Sequence, residues 1–274
     1  GVCMGALGVM FNSLAPFSYT AVLFAVSGIA TVLILPKEPS STEQPNQLFD
    51  RSQVLDQLRP PAHAPEFSRV FAARTCMMAG VGLTGVFLWY LVRFWVYGKA
   101  VVLTSAPLTI PAGFLIAGMA VATLIGAALA SWAAGPISER IEEKNIPVAR
   151  VVAGACLLYA AGLALAWGLG VWSTGTAREN GMLLFALISG FAFGVYDSLG
   201  LELVMDSLPD PRRAGHDLGI YALANSAGLA LAAIIGALLV NAFEHSFGYY
   251  LLFPSAIVMV LLAGIVTLTT KSAE

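Results

Sequence analysis

Seven long apolar runs follow one another along this chain, at residues 19–35, 70–97, 111–134, 148–171, 181–205, 218–243 and 249–270. Charges and Pro/Gly clusters separate them, and no apolar/polar alternation of strand type runs through them. A helix of about 20 residues rises about 30 Å, enough to cross the hydrocarbon of a bilayer. Each run is therefore predicted to be one membrane-spanning helix. Residues 100–138 carry no charge at all, so Pro107 and Pro111 are taken to mark a loop, with the span starting at Pro111. An eighth run at 1–16 is too short for a full span, and no basic region precedes it as in a signal peptide. The chain is expected to be a fragment beginning inside a helix. Residues 36–68 break the rhythm with Pro, Ser, Gln and most of the early charges, and read as a polar linker between two bundles.

Composition supports the membrane reading. Of 274 residues 58% are hydrophobic and 11% charged, with mean hydropathy +0.81, whereas a soluble domain is about 25% charged. One soluble core could not bury that excess, so the expected fold class is an all-α polytopic membrane protein. A net charge of −2 and a pI near 5.9 leave no case for a nucleic-acid partner. Cys3, Cys76 and Cys156 lie in apolar runs without CxxC or Cys/His spacing, so neither a disulfide framework nor a metal site is expected. A membrane-embedded enzyme would need HxxE, Ser/His or Cys/His pairs within spans. None is present, and His63, His216 and His245 fall in loops. No catalytic residue and no cofactor are expected.

If the 36–68 linker is cytoplasmic, alternation puts eleven Lys and Arg on that side, Arg74 among them, and three on the other: Arg93, Lys99 and Arg178. The positive-inside rule thus orients the chain with linker and C-terminus cytoplasmic. Trp89, Trp95, Trp167 and Trp172 fall near outer span ends and Trp132 near an inner one, as in an interfacial belt. Small residues at helical spacing, Gly118/Ala122/Gly126 and Ala224/Gly228/Ala232/Gly236, predict close helix crossings.

Ionisable groups inside a span are expensive and are functional candidates by default. Asp197 lies nine residues before Asp206, so about 13 Å into the bundle. That is near the midplane, where secondary transporters bind substrates and coupling ions. Asp197 and its neighbour Tyr196 are the leading candidates for substrate binding or proton coupling. Arg93, at the outer end of its span, and Asn225, about two turns into its own, are added to them. Glu202, about one turn from the cytoplasmic end, reads as an interfacial acid, and Arg74 as a residue of the inner interface.

Two loops carry a family likeness. The segment Gly135-Pro136-Ile137-Ser138-Glu139-Arg140-Ile141-Glu142-Glu143-Lys144 resembles the Gly-x-Leu-x-Asp-Arg-x-Gly-Arg-Lys signature of the major facilitator superfamily, through Gly135, Arg140 and Lys144, with Glu139 in place of Asp. Glu142 and Glu143 depart from it. The stretch from Asp206 to Tyr221 looks like the loop opening helix eleven in bacterial members, with Asp217 placed to cap that helix. The resemblance implies the end of an N-terminal bundle at 1–35 (part of helix five, and helix six), the linker at 36–68 and a C-terminal six-helix bundle at 69–274. It further implies a cell-membrane secondary transporter, proton-coupled in this reading, moving a small molecule by alternating access, with Gly135, Glu139, Arg140 and Lys144 as a conformational loop motif. Its partners would be a small-molecule substrate, membrane lipid and the missing N-terminal helices. A non-transporting sensor or scaffold with the same fold is the alternative.

Overall fold

In lipid every backbone N–H and C=O must find its partner within the protein, which leaves helices as the form that long apolar runs can take. The computed structural model describes residues 15–34, 65–97, 110–172, 176–208, 214–243 and 245–270, and among them it contains helices and no strand. The expected partial span at 1–16 falls almost wholly outside the described residues, as does the 36–64 part of the linker. The helices are α1 (Ala15–Ile34), α2 (Pro65–Gly85), α3 (Leu88–Tyr90), a π-helical segment (Leu91–Val96), α4 (Ile110–Glu143), α5 (Val148–Trp172), α6 (Thr176–Asp206), α7 (Ala214–Ala242) and α8 (His245–Leu268).

Among the described residues, five helices are long and apolar enough to cross a membrane, α4 to α8. The expected count of seven complete spans is therefore met only in part among the described residues. The two arginines of α2, Arg69 and Arg74, lower its hydropathy.

Several boundaries differ from expectation. The helix expected at 70–97 begins five residues earlier, at Pro65, because a proline fits the first helical position, where no N–H is needed. Glu66 in its first turn pairs with Arg69 at 2.6 Å. The same helix stops at Gly85, turns, and resumes as α3 and the π-helical segment. Two rings hold this broken end: Phe87 lies against Gly236 of α7 and Trp95 against Gly170 of α5, each so close that a Cβ on the glycine would overlap the ring. Meanwhile α4 runs on to Glu143, so the segment from Gly135 to Glu143 is helical and not a loop, with Pro136 inside the helix. Two residues beyond its end, Asn145 turns the chain with a left-handed φ of 49°. The Ile146 amide donates to the Ile141 carbonyl at 3.0 Å, the 6→1 bond of a Schellman stop.

Packing gives the neighbour order α7, α2, α8, α5, α6, α4, with α2 also meeting α6 across the bundle. Phe67, Met77, Leu83, Leu163, Met182, Leu252, Phe253 and Val260 fill the core. Lipid gives helices no hydrophobic reason to associate, so dispersion at close crossings must hold them together. At the α4–α6 crossing a Cβ on Gly190 would lie 2.8 Å from the Thr123 Cα, and one on Gly126 would lie 2.7 Å from the Phe191 N. Trp132 and Trp172 are exposed, as interfacial anchors should be. Trp95 and Trp167 are not: both pack on Tyr250, with ring centroids 4.7 and 5.6 Å away.

A candidate charged centre between three helices

Nine residues separate Arg74 from the start of α2 at Pro65, which places it about 13 Å into the bundle. Its reading as an inner-interface residue is thereby corrected; the earlier helix start pushes it inward by more than a turn. Asp197 lies at the same depth in α6, nine residues from that helix's end. The two meet: Arg74 Nη1 is 2.7 Å from Asp197 Oδ1. Arg74 Nε donates to Asn225 Oδ1 on α7, also at 2.7 Å. One guanidinium therefore joins three helices.

Close approach of α2 and α7 makes this reach possible. Gly228, one turn beyond Asn225, lies so near α2 that a Cβ there would be 2.7 Å from the Thr75 carbonyl oxygen. Aromatic rings surround the cation: the Arg74 Cζ is 5.7 Å from the ring centroid of Phe193, 5.6 Å from that of Tyr196 and 5.7 Å from that of Tyr221. Phe193 and Tyr196 also stack, with centroids 6.3 Å apart and planes 22° apart. A guanidinium is delocalised and weakly hydrated, so quadrupolar ring faces can replace much of its water.

The two charges differ in their access to solvent. The Arg74 side chain is 9% exposed and that of Asp197 is 54% exposed. A carboxylate half open at this depth is costly against hydrocarbon. Its open side belongs against water or polar protein. The chemistry available is that of a carboxylate whose charge is balanced from behind by a fixed cation and whose other side can take a proton or a ligand's donor group.

Among the sequence-expected residues, Asp197, Tyr196 and Asn225 come together here. The Arg93 side chain lies outside the described residues. Glu202 is exposed on α6, nearer that helix's C-terminal end, and Ser226 is exposed on α7. Asp217 does not sit at an N-cap: α7 begins three residues earlier, at Ala214, so Asp217 occupies the first turn and is buried there. It still suits the positive end of the helix. Gly135, Glu139, Arg140 and Lys144 are all exposed near the end of α4. Sequence reasoning missed Arg74, Phe193 and Tyr221. The signal for Arg74 was Pro65-Glu66, a helix-start pattern lying just upstream of the apolar run. Among the described residues no group of His, Cys, Asp or Glu is arranged to hold a metal ion.

Comparison with protein families decides the identity of the fold. Residues 119–274, more than half of the chain, match the model of the Major Facilitator Superfamily. The chain belongs to that family. No curated protein and no solved structure matches it. It is a multi-pass membrane protein of a transport superfamily. The matched segment runs from the first third of α4 through α8 and includes Asp197 and Asn225, whereas Arg74 lies upstream of it on α2. The centre therefore joins the matched part of this facilitator-family chain to a helix outside the match.

Proposed function

We propose that this chain belongs to a proton-coupled secondary transporter that moves a small solute by alternating access, with the centre of Arg74, Asp197 and Asn225 as its coupling site. The observation carrying this reading is the half-open carboxylate of Asp197, deep in α6 and held at 2.7 Å by a buried arginine. When Asp197 takes up a proton, its charge disappears and the attraction to Arg74 falls away. Arg74 keeps Asn225 and its three rings. The contact between α2 and α6 is thereby loosened, and loss of the proton to the other side restores it. Substrate binds in the cavity onto which Asp197 opens, between this six-helix bundle and a second one, and the two bundles rock about that site. The protein resides in the cell membrane with residues 36–68 and the C-terminus on the cytoplasmic side.

Reconstitution tests the reading. Full-length protein in proteoliposomes is offered a panel of radiolabelled sugars, amino acids and organic ions under an imposed pH gradient. Saturable accumulation that a protonophore abolishes is the expected result. Absence of transport for every solute, with the protein folded and inserted, would favour the scaffold reading instead.

A further inference from the structure

The coupling site needs its arginine aimed, and what aims it lies outside the site. We infer that Gly228 is a positioning residue: its missing side chain lets α7 lie against the backbone of α2, which holds Asn225 on Arg74 Nε and so turns the guanidinium toward Asp197. This inference rests on the function proposed above.

The geometry is specific to this spot. A Cβ on Gly228 would lie 2.5 Å from the Met78 Cβ, 2.7 Å from the Thr75 carbonyl oxygen and 3.0 Å from the Ala79 amide nitrogen. Two of these three atoms are backbone, fixed in α2, and cannot step aside by changing a rotamer. Any side chain at 228 must therefore push the helices apart. Asn225 is one turn away on the same helix, and Arg74 is the residue next to Thr75. The separation is thus felt where Arg74 Nε meets Asn225 Oδ1 at 2.7 Å, a bond with no slack to lose. Gly82, on α2, faces the same helix at another place: a Cβ there would lie 2.7 Å from the Ala232 Cβ, 3.1 Å from the Leu229 Cδ2 and 3.6 Å from the Leu229 Cα, so a side chain at 82 also presses α2 and α7 apart, but away from the centre. It lies eight residues beyond Arg74, about 12 Å along the helix. Gly82 therefore serves as a packing control with no lever on the centre.

Among the described residues, the charged and titratable groups that interact with Asp197 from other helices are Arg74 on α2 and Tyr221 on α7, with Tyr196 beside it in the chain. Arg74 is the one whose place depends on Asn225. Moving Asn225 away alters how Arg74 holds the carboxylate, and with it how readily the Asp197 carboxyl meets a reagent from its open side.

The test reads the reactivity of the Asp197 carboxyl directly, without any substrate. Radiolabelled dicyclohexylcarbodiimide adds only to protonated carboxyl groups, and labelling at Asp197 is followed in the full-length protein by peptide mass analysis at fixed pH. Asn225→Ala and Gly228→Ala should each change the labelling rate of Asp197 by about threefold or more, in the same direction. The double variant should match either single one, and Gly82→Ala should leave the rate as in wild type. Asn225→Gln, with a longer reach, should return the rate of Gly228→Ala toward wild type. Additive effects of the two substitutions, an equal effect of Gly82→Ala, or failure of Gly228→Ala to insert while Gly82→Ala inserts would each assign Gly228 to packing alone and overturn the inference. If wild-type Asp197 shows no pH-dependent labelling at all, the proton-coupling reading itself fails.

Discussion

Replacing Arg74 by leucine should destabilise the bundle by an amount that the geometry bounds. Leucine keeps apolar contact with Phe193, Tyr196 and Tyr221 but removes the bond to Asp197 and the bond to Asn225, both 2.7 Å long. Removing one partner of a buried ion pair costs about 3–5 kcal/mol. Asp197 is 54% exposed, however, so water takes over part of the arginine's role, and the discounted figure is about 1–2 kcal/mol. Leaving Asn225 Oδ1 without its donor adds about 1 kcal/mol. A total of about 2–3 kcal/mol lowers the melting temperature of a domain this size by roughly 4–12 °C. The converse substitution, Asp197→Leu, strands the more deeply buried charge and should cost more, about 3–5 kcal/mol. The double variant Arg74→Leu/Asp197→Leu strands neither charge, so it should be more stable than Asp197→Leu alone. Thermal unfolding in detergent, followed by intrinsic tryptophan fluorescence, measures all four proteins. A double variant as unstable as the sum of the two single losses would show that the charges do not interact, and would refute the pairing.

Three further outcomes are expected. Single cysteines at Asn145, in the turn between α4 and α5, and at Gly175, between α5 and α6, should react with an impermeant maleimide from opposite faces of the membrane; labelling from one face would break the order of spans. Gly190→Ala forces α4 and α6 apart against backbone at Thr123, an overpacking that costs about 1–3 kcal/mol. Gly154→Ala, with nothing within 4 Å of the new Cβ, should be neutral or stabilising by up to about 1 kcal/mol; equal melting temperatures for the two would contradict the close crossing. Arg140→Ala, exposed at the end of α4, should lower maximal transport rate more than apparent affinity if the motif serves the conformational cycle, and an affinity loss at unchanged rate would place Arg140 in binding.

The membrane helices were legible because lipid leaves the backbone few choices, so α4 to α8 could be read from apolar runs alone. Their ends were less so. Glu139, Arg140 and Glu143 are good helix formers as well as loop charges, and α4 continued through them despite Pro136 until Asn145 stopped it. Pro65 and Glu66 opened α2 inside what read as linker, and that shift concealed the depth of Arg74. Asp197 and Arg74 each lie nine residues from a helix end. Their equal depth is visible in the sequence once α2 is started at Pro65. The break after Gly85 was not legible, because it depends on Phe87 and Trp95 finding Gly236 and Gly170 on other helices. The same is true of Trp167, whose place near a span end looked interfacial until Tyr250 of α8 covered it. The small-residue stripe Ala224/Gly228/Ala232/Gly236 was read as a crossing face and does face α2 and Phe87, since spacing specifies a face even when the partner is unknown.

The most direct measurement compares accumulation with exchange in proteoliposomes containing the Asp197→Asn protein. Asparagine keeps the shape of the side chain and a carbonyl for Arg74 to bond, but it cannot take up or release a proton. The account predicts that proton-driven accumulation of the transported solute is lost while exchange of labelled for unlabelled solute across the membrane continues. Full accumulation with unaltered pH dependence by a well-inserted Asp197→Asn protein would contradict it.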